Sequence, residues 1–279
     1  MRAVVILKRL VPRLLLGSCL SVLAACALYP ERGAVGPQPG QPGKDVEWLP
    51  TPEPLVSEML DLARVTPNDY VIDLGSGDGR IVIAAAKRGA RGLGIELDPG
   101  LVQLSMRNAA REGVGDRAAF LQDDIFRADF SEGTVITLFL LTDVNLRLRP
   151  RLLALRPGTR IVSLVFTMGE WSPDETATTG CGSFCTAYLW IVPADVAGTW
   201  RLSQGDLALD QRYQRISGTL SSGGKVISIA NGRLHGDRIA FTAGDAEYAG
   251  RVAGDAIAGS FRSGSTTGRW TATRVTHRR

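Results

Sequence analysis

The chain has 279 residues, of which 44% are hydrophobic and 22% charged, proportions that exclude a disordered polymer and leave room for two domains. Its formal charge of +4 is matched by four cations near the start, Arg2, Lys8, Arg9 and Arg13, so the chain after its first expected cleavage point is neutral and charge argues for no nucleic-acid partner. With only His235 and His277 present, a Ser-His-Asp hydrolase and a His-rich metal site are excluded, and no metal is expected.

Residues 1–25 join that cationic start to an apolar run, Leu14 to Ala25, too short to span a bilayer. They predict a signal peptide. The run ends Leu23-Ala24-Ala25-Cys26, which resembles the bacterial lipobox. That resemblance implies lipidation at Cys26, a membrane-anchored lipoprotein of the bacterial cell envelope facing the periplasm, and a cytoplasmic place only if the signal does not function. Residues 26–47 hold Pro, Gly and Gln in proportions that cannot bury a core, and predict a flexible tether.

A helix is expected over Pro54 to Leu62, with Leu55, Met59 and Leu62 on one face and Pro52 and Pro54 marking its start. A buried parallel strand follows at Tyr70 to Leu74, and it runs straight into Gly75, Gly77 and Gly79. Glycine accepts positive φ and lacks Cβ, so backbone N–H groups can approach a ligand at the start of the next helix, Arg80 to Arg88. Asp73 and Asp78 flank this turn and would repel a pyrophosphate, which argues against a nicotinamide dinucleotide and for a cationic or zwitterionic ligand.

The run Leu93 to Ile95 closes on Glu96, placed where a carboxylate takes the hydroxyls of a ribose, and the run Phe120 to Gln122 leads to Asp124. Three strands thus end in acids or glycines at the edge where open α/β sheets bind ligands. The pattern resembles class I S-adenosylmethionine-dependent methyltransferases, with Gly75-Ser76-Gly77-Asp78-Gly79, Glu96 and Asp124 in the positions of the family's glycine loop and its second- and third-strand acids. The wording PTPEPLV, DLGSGDGRIVIAAAKRGARGLGIELDP, TLFLLTDVNLRLRPRLL and PGTRIVS…MGEW is similar to the FAM173-type members, among them protein-lysine methyltransferases, over Trp48 to Ala194. The resemblance implies S-adenosyl-L-methionine as cofactor, held by Thr51, Asp73, Gly75, Ser76, Gly77, Asp78, Gly79, Glu96 and Asp124, and a protein acceptor, most plausibly a lysine. Thr142 and Leu164 depart from the family's wording, and both touch the acceptor side.

A helix over Leu101 to Glu112, a strand over Val135 to Leu140, a helix over Leu146 to Leu155 and a strand over Arg160 to Phe166 complete the pattern. Arg147, Arg149 and Arg151 are expected on a solvated helix face. The acceptor side is expected at Thr142, Asp143 and Asn145 and at Glu170 and Trp171, with Asp143 or Asn145 the catalytic candidates for holding an amine. A helix N-cap is the competing role for Asp143. Cys181 and Cys185 are expected as a loop disulfide in an exported chain, with unpaired thiols as the alternative. Ala187 to Val192 is expected as the edge strand.

From about Gly198 short alternating runs are separated by glycine turns, which predicts antiparallel β. Gly232-Arg-Leu-His-Gly-Asp-Arg-Ile returns as Gly250-Arg-Val-Ala-Gly-Asp-Ala-Ile, with Gly236-Asp237 and Gly254-Asp255 as two-residue turns. The expectation is therefore an α/β Rossmann-like methyltransferase domain over 48–197 and a small meander or partly closed barrel over 198–279, with Trp200 and Trp270 in its core. An envelope lipoprotein without turnover that binds a nucleoside or a protein partner is the alternative function.

Overall fold

The computed structural model describes residues 48–178 and 185–277, all within one compact unit, Pro39–Arg279. The expected signal, tether and Cys26, together with Cys181, lie outside the described residues.

Helix α1 (Glu53–Leu62) starts at Pro52 and buries Leu55, Val56, Met59 and Leu60 on one face. Five parallel strands follow: β1 (Tyr70–Leu74), β2 (Arg91–Glu96), β3 (Ala118–Gln122), β4 (Val135–Leu138) and β5 (Arg160–Leu164). With the antiparallel β6 (Glu175–Thr178) and β7 (Thr186–Ile191) they form one sheet in the order β3-β2-β1-β4-β5-β7-β6. The chain builds outward from β1 to β2 and β3, then returns to β1's other side for β4 and β5. Such a reversal lies at the carboxyl end of β1, the place where open α/β sheets bind ligands.

Successive residues of each strand face opposite sides, so both faces carry a core. Ile72, Leu74, Ile136 and Leu138 pack with Leu148, Leu152, Trp171 and Trp190 on one side. Val71, Val135, Val162 and Leu164 pack with α1 and with Ile81 of α2 (Arg80–Lys87) on the other. Helix α3 (Pro99–Arg111) is capped by Asp98, whose side chain accepts from Gly100 N and Leu101 N, a cap that stabilises a helix by about 1 kcal/mol.

Three expectations need correction. Helix α4 (Thr142–Leu153) begins four residues before Leu146, at a cap position, Leu141, that supplies no side-chain hydrogen bond. Asp143 is therefore not an N-cap but a first-turn residue. The strand β7 is not the edge, because the polar Glu-Thr-Ala-Thr strand β6 pairs outside it. The arginines of α4 are not simply solvated: Arg151 donates to Ile125 O and Ala128 O, Arg149 donates to Met168 O, and Arg147 lies over the Phe126 ring at 3.9 Å.

The second half is a closed up-and-down barrel of β8 (Gly198–Leu202), β9 (Gly205–Arg212), β10 (Arg215–Ser222), β11 (Lys225–His235), β12 (Arg238–Ala243), β13 (Ala246–Ala253), β14 (Ala256–Ser263) and β15 (Thr266–His277). Pairing of β15 with β8 removes both edges, so the barrel is closed where partial closure was the expectation. Gly236 and Gly254, at φ of 61° and 58°, take the first position of two-residue turns, the position where a type II′ turn needs glycine. Its interior is filled. Phe241 and Tyr248 stack at 4.9 Å, Trp270 meets both edge-on, and Trp200 is fully buried. The barrel leans on the sheet through Tyr213, through Gln214, which donates to Ser172 O, and through the ion pairs Arg212–Glu170 and Arg233–Asp174.

Candidate functional site

The glycine turn leaves β1 with φ values of 78°, 55° and 82° at Gly75, Gly77 and Gly79, a left-handed run that side chains resist. At Gly79 a Cβ would also come 2.6 Å from the Phe120 ring and 2.8 Å from Ser105. The turn is tied in place from several sides. Gly75 N and Ser76 N donate to Ile95 O, Ser105 Oγ donates to Gly77 O, and Asn108 Nδ2 donates to Asp78 O. Its backbone is thus held by the chain's own hydrogen bonds.

Glu96, at the end of the neighbouring strand, accepts from Gly77 N at 3.0 Å and from Asp98 N at 2.9 Å. Each of its oxygens keeps acceptor capacity for a ligand hydroxyl. Asp73 is 3% exposed and accepts from Thr137 Oγ1 at 2.6 Å. Burial pushes its carboxyl up to about 7, with Glu96 and Asp78 adding to the rise and the Thr137 hydrogen bond opposing it. Asp124 accepts from Phe126 N in a turn just past β3, and Asp123 Oδ1 accepts from Asp124 N. Ser76 Oγ is buried and has no hydrogen-bond partner among the described residues.

Asp78 behaves otherwise than expected. Its carboxylate is held by Arg80 Nε at 2.9 Å and Nη2 at 2.6 Å, so the charge that was to repel a pyrophosphate is neutralised on the spot. The repulsion falls to Glu96, and Asp73 joins it as its carboxyl ionises near pH 7. Thr51 is brought in by its main chain: the residue is 5% exposed and its carbonyl accepts Arg80 Nη1 at 2.7 Å.

The acceptor-side candidates divide. Asp143 is exposed in the first turn of α4, while Asn145 is fully buried. Asn145 Nδ2 donates to Ser163 Oγ, Phe166 O and, at longer range, Thr167 O, which leaves its Oδ1 without a partner among the described residues. Glu170 and Trp171 are not part of an acceptor wall. Trp171 is a core residue at 0% exposure, and Glu170 pairs with Arg212 of the barrel.

Two contributors escaped the sequence reading: Arg80 and Thr137. Thr137 carried a signal, since a hydroxyl inside the run Val-Ile-Thr-Leu needs a partner once buried. Cys185 is disulfide-bonded, the state expected for it. Among the described residues no cluster of His, Cys, Asp and Glu could hold a metal ion, and no helix is long and apolar enough to cross a membrane.

Residues 73–175 match the ANTKMT methyltransferase domain. A protein-lysine N-methyltransferase of Saccharolobus islandicus is 41% identical over 151 residues, 53% of this chain and 94% of that protein. This chain belongs to the ANTKMT methyltransferase family. The adenine nucleotide translocase lysine N-methyltransferase of Mus musculus is 38% identical over 120 residues, 42% of this chain, and the match spans only 52% of that enzyme. Among solved structures, an RNA methyltransferase from Salinibacter ruber in complex with S-adenosyl-L-homocysteine is 51% identical with a TM-score of 0.51, covering 53% of this chain and 96% of that one.

S-adenosylmethionine is accordingly the cofactor of this family member, and the residues present fit it. Glu96 offers acceptors for ribose hydroxyls, Ser76 offers a buried hydroxyl still unpaired, and Asp73 with Glu96 makes a carboxylate floor suited to a ligand carrying positive charge. The barrel lies beyond the domain match, which ends at residue 175.

Proposed function

We propose that this ANTKMT-family methyltransferase transfers a methyl group from S-adenosylmethionine to the ε-amine of a lysine in a protein. The observation that carries this reading is the Saccharolobus islandicus protein-lysine N-methyltransferase, matched over nearly its whole length. In the transfer the bond from methyl carbon to sulfur breaks and a carbon–nitrogen bond forms, so the sulfonium becomes a neutral thioether and the amine gives up a proton. The bound cofactor supplies the electrophilic methyl. What remains for the chain is to align the two reactants, keep out water and present the amine unprotonated. We assign amine capture to the exposed carboxylate of Asp143, in the first turn of the helix that follows β4, and the shaping of the neighbouring turn after β5 to Asn145.

Tritiated cofactor incubated with the full chain and a cell extract tests this. Label in a protease-sensitive product that hydrolyses to methyl-lysine is the expected result. A label that survives protease and is lost to ribonuclease would replace lysine with RNA. Two observations favour that second reading: the likeness to the Salinibacter ruber RNA methyltransferase, and the basic barrel, where residues 198–277 hold ten Arg and Lys against six Asp and Glu.

We also propose that residues 1–25 are an export signal and that Cys26 carries the lipid, placing the chain on the periplasmic side of the envelope membrane. The small residues before Cys26 support it, and a disulfide at Cys185 is the state of an oxidising compartment. Palmitate labelling of the wild type and of Cys26→Ser tests it, and equal labelling would remove Cys26 as the anchor.

A further inference from the structure

Trp48 stands outside every residue assigned so far to the cofactor, yet it touches the turn that defines the site. A Cβ placed on Gly77 would lie 2.4 Å from the Trp48 Nε1 and 2.8 Å from its Cδ1, so the indole occupies the space that the missing side chain leaves over the turn. The contact is not incidental, because the segment behind it is fastened to the same turn. Thr51 is 5% exposed, its carbonyl accepts from Arg80 Nη1, and the other nitrogens of that guanidinium grip Asp78 inside the glycine run. One arginine thus staples the incoming chain to the turn and holds Trp48 against Gly77.

Gly77 thus has two unlike neighbours: the Glu96 carboxylate, which accepts from its N–H, and the half-buried Trp48 indole, which fills the place a Cβ would take. Aromatic faces attract cations through their quadrupole, tryptophan most strongly, and the attraction grows when water is removed. A neutral thioether of the same shape receives none of it.

We propose that Trp48 is a cofactor-recognition residue that favours the sulfonium of S-adenosylmethionine over the thioether S-adenosylhomocysteine. Methyl transfer consumes the charge on sulfur, so the indole loses its hold on the product at the moment the reaction is complete. The spent cofactor is then the weaker ligand, and exchange for a fresh one follows. Trp48 acts on cofactor choice and exchange and takes no part in the acceptor chemistry, so the proposal does not depend on the acceptor being lysine.

The test is calorimetric titration of the full chain, in detergent, with S-adenosylmethionine and separately with S-adenosylhomocysteine. Trp48→Leu stays apolar and removes the aromatic face, and Trp48→Phe keeps a weaker face. The leucine variant is expected to bind the sulfonium about fivefold or more weakly and the thioether within about twofold of wild type, with phenylalanine between. Equal losses for both ligands would make Trp48 a mere packing residue and overturn the proposal, and so would an unchanged sulfonium affinity. Tryptophan emission supplies a second readout: ligand addition should change it in the wild type and leave it nearly unchanged in Trp48→Phe. If the wild type binds neither ligand, the cofactor assignment falls as well, whereas wild-type binding with unselective variants sinks only the role of Trp48.

Discussion

Trp171 and Tyr213 lie with ring centroids 5.9 Å apart and planes inclined by 12°, a stack that joins the loop after β5 to the turn between β9 and β10. Tyr213 holds a φ of 56°, unfavourable for a tyrosine, and Arg149 covers its ring at 5.6 Å. The stack therefore offsets a strained turn in order to dock the barrel on the sheet.

Removing the ring should loosen that joint. Tyr213→Ala is expected to lower stability by about 2 kcal/mol, and Tyr213→Gly by less, because glycine relieves the positive φ while losing the same stack. Urea unfolding followed by tryptophan emission measures the order of the two variants. If alanine and glycine are equally damaging, the backbone at Tyr213 is not strained in solution.

Asp73 makes the site sensitive to pH. Its carboxyl is raised from 3.8 to about 7, so the folded chain keeps this proton to a higher pH than the unfolded chain does. Stability from this group is complete below pH 3.8 and is lost as pH rises to about 7, by roughly 1.4 kcal/mol for each pH unit crossed between those values. Asp73→Asn can still accept from Thr137 and cannot ionise. The variant should therefore gain stability over wild type as pH rises from 4 to 7, with a constant difference above that range. Over the same window wild-type affinity for S-adenosylmethionine should climb as the carboxylate forms, while that of the variant stays flat. Thermal melts and titrations at pH 5 and pH 8 check both, and a pH-independent wild type would show Asp73 ionised throughout.

Much of this site could be read from the residues, and the exceptions have physical causes. Tyr70 to Leu74 followed by alternate glycines admits few structures, because a buried parallel strand is apolar throughout and only glycine takes the positive φ of the turn. The barrel turns at Gly236 and Gly254 were legible for the same reason. Strand β6 was not, since an edge strand needs no apolar face and Glu-Thr-Ala-Thr has none. The start of α4 was hidden because Leu141 gives no side-chain cap. Trp171 was placed at the acceptor when it is core, and Asp78 was read as a bare charge although its partner, Arg80, stands two residues on. The contact of Trp48 with Gly77 is set by folding alone, and no local pattern announces it.

At the amino end of the sheet Asp69 serves structure. It is 7% exposed, pairs with Arg160, and accepts from Thr134 Oγ1 at 2.7 Å and from Thr66 N at 2.8 Å. Burial works to raise its carboxyl, but the hydrogen bonds from Thr134 and Thr66 and the Arg160 charge outweigh burial and hold it below its usual value. A depressed carboxylate contributes stability above the unfolded pKa and loses it as pH falls through the folded one, the opposite sign to Asp73. Asp69→Ala takes the carboxylate from Arg160 and from three donors, Thr66 N, Thr66 Oγ1 and Thr134 Oγ1, and should cost about 3 kcal/mol at neutral pH while leaving cofactor affinity within about twofold. Urea midpoints at pH 7 and pH 3 test it: the gap between wild type and variant should shrink on acidification.

The acceptor-side role proposed for Asn145 rests on the turn that follows β5. Val165, just past β5, sits at φ 67°, a costly conformation for a β-branched side chain, and Phe166 N donates back to Leu164 O around it. Three contacts hold this tight turn: Asn145 Nδ2 and Ser163 Oγ donate to Phe166 O, and Val165 N donates to Thr186 O. The Phe139 ring stacks on the Phe166 ring at 6.2 Å and so inherits the position of the turn. Asn145→Ala removes one of the donors and should release the strained turn, lowering kcat by about tenfold or more because a misplaced wall no longer aligns the acceptor. Asn145→Asp should be worse, since it aims a carboxylate at the carbonyls of Phe166 and Thr167. Affinity for S-adenosylhomocysteine should stay within about twofold in both, because the hydrogen bonds of Asn145 go to Ser163, Phe166 and Thr167 and none to the glycine turn, Glu96 or Asp73. Single-turnover methylation beside a binding titration separates the two effects, and a matched loss of cofactor affinity would mean that Asn145 supports the whole crevice and not its acceptor wall.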